Sequence, residues 1–156
     1  MDQSLTSRSI PADQVTAIEG FVDKARHDAS VAMEFRITGF DLSLSVTQRE
    51  AVMVEQMIEA VNLSAQLEER LVGLMAIQQL LNKDWDQIEA EALDNYAKRY
   101  TDKKGKLADP IKNHHTLWLL KGEVDNTCEI LKRVIDRLTS MQWVARSASS
   151  ASQGMM

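Results

Sequence analysis

One apolar seam near the carboxyl end of this 156-residue chain constrains its fold more than any other feature. From Leu117 to Ala148 the side chains recur in alternating steps of three and four, and Thr127 is the one polar member. The larger apolar members are Leu117, Leu120, Val124, Leu131, Val134, Leu138 and Met141. Such steps keep side chains on one side of a helix that supercoils about a partner. The seam therefore predicts a long helix packed along another helix.

A second stripe, between residues 47 and 82, supplies the natural partner helix. Thr47 and Glu50 fit a capping box at its start, and the spacing after them alternates between three and four. The members expected in the packed seam include Met53, Met57, Leu67, Leu71 and Leu74. The stripe is widened on one side by Val54, Ile58, Val61, Val72 and Met75. We predict that this helix and the one over 110–147 form an antiparallel hairpin.

The composition favours helices along the whole chain. The sequence has 6 Gly and 2 Pro, so helix breakers are few, and 44% of its residues are hydrophobic. The expected fold class is all-α, an elongated antiparallel helical hairpin or coiled coil with additional shorter helices. Residues 11–147 would form one helical domain, with a disordered segment at 1–10 and a frayed tail at 148–156.

Two segments outside the hairpin carry weaker signals. Pro11 is well placed for a first helical turn, and Gly39 is the expected end of that helix. Alternating apolar residues at 40–46 then predict a short extended strap. Asp84 is the expected cap of another short helix, which would reach Thr101.

The connection into the last helix has its own signals. The charged run at 101–106, TDKKGK, is typical of a loop. Asp109 followed by Pro110 is typical of a helix start, with aspartate as the cap and proline at the first helical position.

Charge and hydropathy argue against two classes of partner, nucleic acids and a membrane that the chain would span. The formal net charge of -5 argues against a protein that binds phosphate backbones, so we expect no nucleic-acid partner. No run approaches the roughly 20 apolar residues of a membrane span. The start of the chain lacks the basic and apolar regions of a Sec signal.

No motif in the sequence indicates catalysis, a metal or a cofactor. His114 and His115 are adjacent, which on a helix points them about 100° apart and away from a shared metal. Cys128 lies beside the seam and is interpreted as a small buried side chain, not a reactive thiol. Glu68 and Glu69 fit a solvated helix face. We therefore expect a protein that is not an enzyme and has no cofactor.

Two stretches carry a resemblance to a known family. They are M-V-E-Q-M-I-E-A-V-N-L-S-A-Q-L-E-E-R-L at 53–71 and L-L-K-G-E-V-D-N-T-C-E-I-L-K-R-V-I-D-R-L-T-S-M-Q at 119–142. With the Ser/Thr-rich start, they resemble type III secretion needle-tip and EspA/SseB-type filament proteins over roughly 47–147. The resemblance implies a secreted structural virulence subunit that is exported without a Sec signal and held soluble beforehand by a chaperone. Residues 1–10 would then be the export signal.

The sequence leaves two hypotheses of function open. In the first, the chain is a non-enzymatic secretion-apparatus subunit, and its helical seams bind further copies or a cognate chaperone. In the second, it is a cytoplasmic helical chaperone or adaptor that shields an amphipathic helix of a partner in a Met-rich groove. Both hypotheses expect protein partners bound through the seams.

Overall fold

The computed structural model describes residues 10–38, 43–95 and 103–154. These residues form four helices and contain no strand, which confirms the all-α fold class. The helices are α1 (Ala12–Glu34), α2 (Val46–Asn95), α3 (Lys103–Asn113) and α4 (His115–Gly154). Residues 1–9 of the predicted disordered segment lie outside the described residues.

Helix α1 begins directly after Pro11, as the sequence predicts, with Asp13 in its first turn. Gly39 lies outside the described residues, and the helix ends at Glu34, before the predicted position. A tight last turn, in which the Phe35 amide donates to the Ala32 carbonyl at 3.2 Å, marks this end. Of the predicted strap at 40–46, the residues after 42 form a turn and the start of α2, so the extended conformation is wrong there.

The capping box of α2 lies two residues before the predicted one. The Ser45 hydroxyl accepts from the Gln48 amide at 3.2 Å, and the Gln48 side-chain oxygen accepts from the Ser45 amide at 3.0 Å. This is the reciprocal pattern of a capping box, and it satisfies two amides that have no helical partner. The prediction of Thr47 and Glu50 is therefore wrong, because Thr47 already lies inside α2.

Helix α2 continues without a break to Asn95, so the predicted new helix at Asp84 is wrong. The physical reason is that the buried positions continue in helical spacing across it. Leu81, Trp85 and Ile88 are all buried. A capping residue within such a stripe remains an ordinary exposed helical residue.

The predicted loop and helix start before α4 also need correction. Residues 103–106 are helical, and Pro110 lies inside α3 instead of at a first helical position. The His114 amide donates to the Pro110 carbonyl at 2.9 Å, and α4 begins at the next residue. At its other end α4 runs to Gly154, through most of the segment expected to fray.

The helices of the chain divide into two compact units. Unit 1 combines the described part of Met1–Asp23 with Gly73–Cys128, and unit 2 combines Lys24–Val72 with Glu129–Met156. Each unit therefore contains segments of α1, α2 and α4, which are far apart in sequence.

In unit 1, α2 and α4 run antiparallel. The Gln78 side chain donates to the Asp125 carboxylate at 2.7 Å. Trp85 lies seven residues after Gln78 on α2, and Trp118 lies seven residues before Asp125 on α4. The centroids of these two tryptophan rings are 4.9 Å apart. Helix α1 approaches α2 closely in this unit, because a Cβ atom at Gly73 would lie 2.7 Å from the ring of Phe21.

In unit 2, polar contacts join α1 and the residues after it to the other two helices. The Arg70 guanidinium pairs with the Asp28 carboxylate at 3.0 Å, and the Gln56 side chain donates to the Thr38 hydroxyl at 2.8 Å. These pairs show α2 running antiparallel to this part of the chain. Arg137 of α4 donates to the Ala32 carbonyl at 3.3 Å.

Candidate functional site

The seam of α4 is buried by the chain itself. Its residues Leu117, Leu120, Val124, Leu131, Val134 and Leu138 are buried, and Met141 is half-buried. Its polar member, Thr127, is also buried, and its hydroxyl donates to the Glu123 carbonyl at 2.7 Å. Cys128 is buried beside it, in the environment of a small core residue. Apart from the half-buried Met141, these side chains are covered in this conformation.

The predicted seam of α2 is mostly buried as well. Met53, Leu67 and Leu74 are buried, while Met57 and Leu71 are half-buried. Within unit 2 we call these positions the inner stripe, which consists of Met53, Met57, Ala60, Ser64, Leu67 and Leu71. Of the methionines on α2, Met53 is buried, Met57 is half-buried and Met75, in unit 1, is exposed.

A second apolar stripe of α2 faces solvent. We call it the outer stripe, and it consists of Val54, Ile58, Val61, Ala65 and Val72, all of them exposed. Ile58 is 56% exposed and Val72 is 68% exposed. Its members recur at steps of three and four. The register is interrupted once, because Glu68 occupies the position between Ala65 and Val72. From the sequence these valines and Ile58 were expected to widen the packed face.

Acidic side chains border the outer stripe. Glu55 and Glu69 are exposed beside stripe members on the same helix, and the exposed Glu68 lies within the stripe's own register. The basic residues of this segment do not balance them. Arg70 pairs with Asp28, and Arg49 is half-buried. The outer stripe is therefore an apolar surface with an acidic rim.

A second exposed apolar feature of unit 2 lies near the end of α4. Trp143 is 71% exposed, and its neighbour Val144 is exposed too. Arg146, two residues further on, is also exposed. We call these three residues the α4 patch. Trp143 lies outside the three-four register of the α4 seam, so the seam does not predict that it is buried.

The structure brings no metal-binding cluster together in the part of the chain that it describes. No group of three His, Cys, Asp or Glu side chains there could hold a metal ion. His114 and His115 lie at the junction of α3 and α4, where they line a cavity of about 510 Å³ with Lys112 and residues at the start of α1.

None of the helices, over their described residues, combines the length and the apolar character needed to cross a membrane. The chain matches no known protein family, no curated protein and no solved structure.

Proposed function

We propose that this chain acts by binding other proteins through its exposed helical faces, and not by catalysis. The observation that carries the proposal is the outer stripe of α2. It exposes five apolar side chains in one helical period, interrupted at Glu68, and exposed apolar patches of this kind mark sites of interaction. The proposed role is that of a structural subunit of the type III secretion tip or filament class, supported by the resemblance at 53–71 and 119–142.

Charge indicates what covers the outer stripe. Two copies that met α2 against α2 would bring acidic rims together, and like charges at an interface oppose association. The α4 patch offers the opposite combination, with Trp143 and Val144 beside the basic Arg146. In the proposed assembly the α4 patch of one copy covers the outer stripe of the next. A contact between two different surfaces repeats head to tail, which produces a ring or a filament.

Solution mass as a function of concentration tests this arrangement. The wild-type chain should grow in mass, while Ile58→Asp and Trp143→Asp should each remain monomeric because one surface of the contact carries a desolvated charge. Mixed together, the two variants should form a dimer and no larger species, since each supplies the surface that the other lacks. Val31→Asp, at an exposed site on α1, is the matched control and should assemble normally.

The alternative function is that of a cytoplasmic chaperone or adaptor, with the outer stripe covering a partner's amphipathic helix. The acidic rim favours this alternative where the partner helix has lysines and arginines along its apolar face. A chain that stays monomeric at every concentration but binds such a helix, and loses it in Ile58→Asp, would support the adaptor. Export of the intact chain to the culture medium, abolished by deleting residues 1–10, would support the secreted subunit.

A further inference from the structure

A small apolar cavity lies in unit 2, between the residues that follow α1 and the last turns of the seam in α4. Its volume is about 310 Å³. The apolar part of its lining comes from Ile37, Met141, Val144 and Ala145. Its polar lining consists of Ser140 and the two arginines Arg36 and Arg137, so two guanidinium groups adjoin a mainly apolar pocket.

The two guanidinium groups meet at one backbone oxygen. Arg36 donates through Nη1 to the Phe35 carbonyl at 2.9 Å, and Arg137 donates through Nη2 to the same oxygen at 3.2 Å. Arg36 also donates to the Met33 carbonyl at 2.7 Å. Two like charges are thus held close together at the end of α1.

The charge at this point is only partly balanced. Among the residues that the structure describes, no carboxylate pairs with Arg36 or Arg137. The carbonyl end of α1 supplies roughly -0.5 of an elementary charge against the two positive groups. Each guanidinium has five N–H donors, so the carbonyls leave several of them for another acceptor. An anion beside the cavity would complete both the charge and the hydrogen bonding.

We propose that this cavity binds a medium-chain carboxylate, with its head on Arg36 and Arg137 and its alkyl chain against Ile37, Met141 and Val144. Planar guanidinium groups suit a carboxylate because two parallel hydrogen bonds form at once. The volume is near the lower limit of ligand pockets, about 300 Å³. At about 30 Å³ for each non-hydrogen atom, the share of one water molecule, it holds about ten such atoms. Octanoate has that size, and its binding does not depend on the protein-binding role proposed above.

Titration of the full chain with octanoate, followed by amide NMR signals, tests the proposal. Octanoate should shift the signals of residues 36–37 and 137–145 in a saturable way. Octan-1-ol has the same chain without the charge, and it should bind at least about tenfold more weakly, the loss expected for charge-assisted hydrogen bonds. Octylammonium should not bind. Each titration is done at a protein concentration where the chain is monomeric.

Variants locate the head group. Arg36→Gln should weaken octanoate about tenfold and leave octan-1-ol unchanged, since it removes a charge and keeps the apolar lining. Arg133→Gln is the matched control, because Arg133 is exposed on α4 and does not line the cavity. Val144→Thr keeps the arginines and should weaken both ligands. Equal affinity for octanoate and octan-1-ol, or equal octanoate affinity in Arg36→Gln and Arg133→Gln, would overturn the proposal.

Discussion

The inner and outer stripes of α2 lie one residue apart on the same helix segment and meet opposite environments. Leu67 in the inner stripe is 1% exposed, whereas Ile58 in the outer stripe is 56% exposed. Both stripes are mainly apolar and repeat in steps of three and four, with Ser64 as the polar member of the inner stripe and Glu68 interrupting the outer one. An apolar helical period shows where a helix can bind. The neighbouring helices decide which of two such faces they cover.

The comparison also separates stability from assembly. Covered side chains contribute to the folding free energy, because they leave water when the chain folds. Exposed ones do not, and the outer stripe is therefore the part of α2 that can serve an interaction between proteins.

The largest effect is expected for the buried positions. Leu67→Ala and Leu131→Ala should each lower the free energy of unfolding by about 2–5 kcal/mol, because a cavity adds to the lost transfer energy. Both side chains are fully buried. The measurement is chemical denaturation, in which the free energy of unfolding should have the same dependence on denaturant concentration in the variants and in the wild type. A loss under 1 kcal/mol in either variant would show that the inner stripe and the α4 seam are not packed as described.

The next effect concerns the face of α2 that approaches α1 in unit 1. Gly73→Ala places a methyl group 2.7 Å from the Phe21 ring, so the ring must move. Relative to Gly122→Ala, which meets nothing within 4 Å, it should be less stable by about 1–2 kcal/mol, in the lower part of the usual range for overpacking, because the displaced atom is the far end of the half-buried Phe21 ring. Gly122→Ala itself should stabilise the chain by about 1 kcal/mol through helix propensity. Equal stability of the two variants would mean that α1 and α2 are not in close contact there.

A smaller effect should locate the start of α2. Ser45→Ala removes the hydroxyl that accepts from the Gln48 amide and should cost about 1 kcal/mol in thermal or chemical unfolding. Thr47→Ala, at an exposed position inside the helix, is the control and should change stability by less than about 0.5 kcal/mol. If Thr47→Ala were the costlier change, the cap would lie where the sequence alone predicts it.

The smallest effect on folding is expected for the outer stripe. Ile58→Ala should change the free energy of unfolding by less than about 0.5 kcal/mol, as for surface positions in general. The same variant should weaken assembly or partner binding, measured as solution mass. A large loss of stability in Ile58→Ala, with assembly intact, would place this side chain in the core and remove the difference between the two stripes.

Long periodic segments were predictable, and their ends were less so. The burial of Leu131 and Leu138 follows the seam, because its large apolar side chains recur at helical spacing and pack against the other helices of the chain. Asp84 and Pro110 carry strong local signals for helix starts, yet both lie inside helices. Local capping preferences amount to about 1 kcal/mol, which continued packing of Trp85 and Ile88 outweighs.

The candidate site was predictable only in part. The residues of the outer stripe were visible in the sequence as apolar, but their exposure was not. The meeting of Arg36 and Arg137 at the Phe35 carbonyl joins residues about a hundred positions apart, and no local pattern predicts it. Trp143 carried a signal that could have been used, because a tryptophan outside the seam register on a predicted helix is expected to face outward.

The sequence by itself determined that the chain is all-α and that its longest helices carry buried three-four stripes, because periodicity and the scarcity of helix breakers act along single segments. The tertiary structure alone decided which face of α2 is covered, that α2 continues past Asp84, and which distant arginines meet at the end of α1. Those outcomes depend on contacts between residues far apart in sequence, whose free energies exceed the local preferences of one helix.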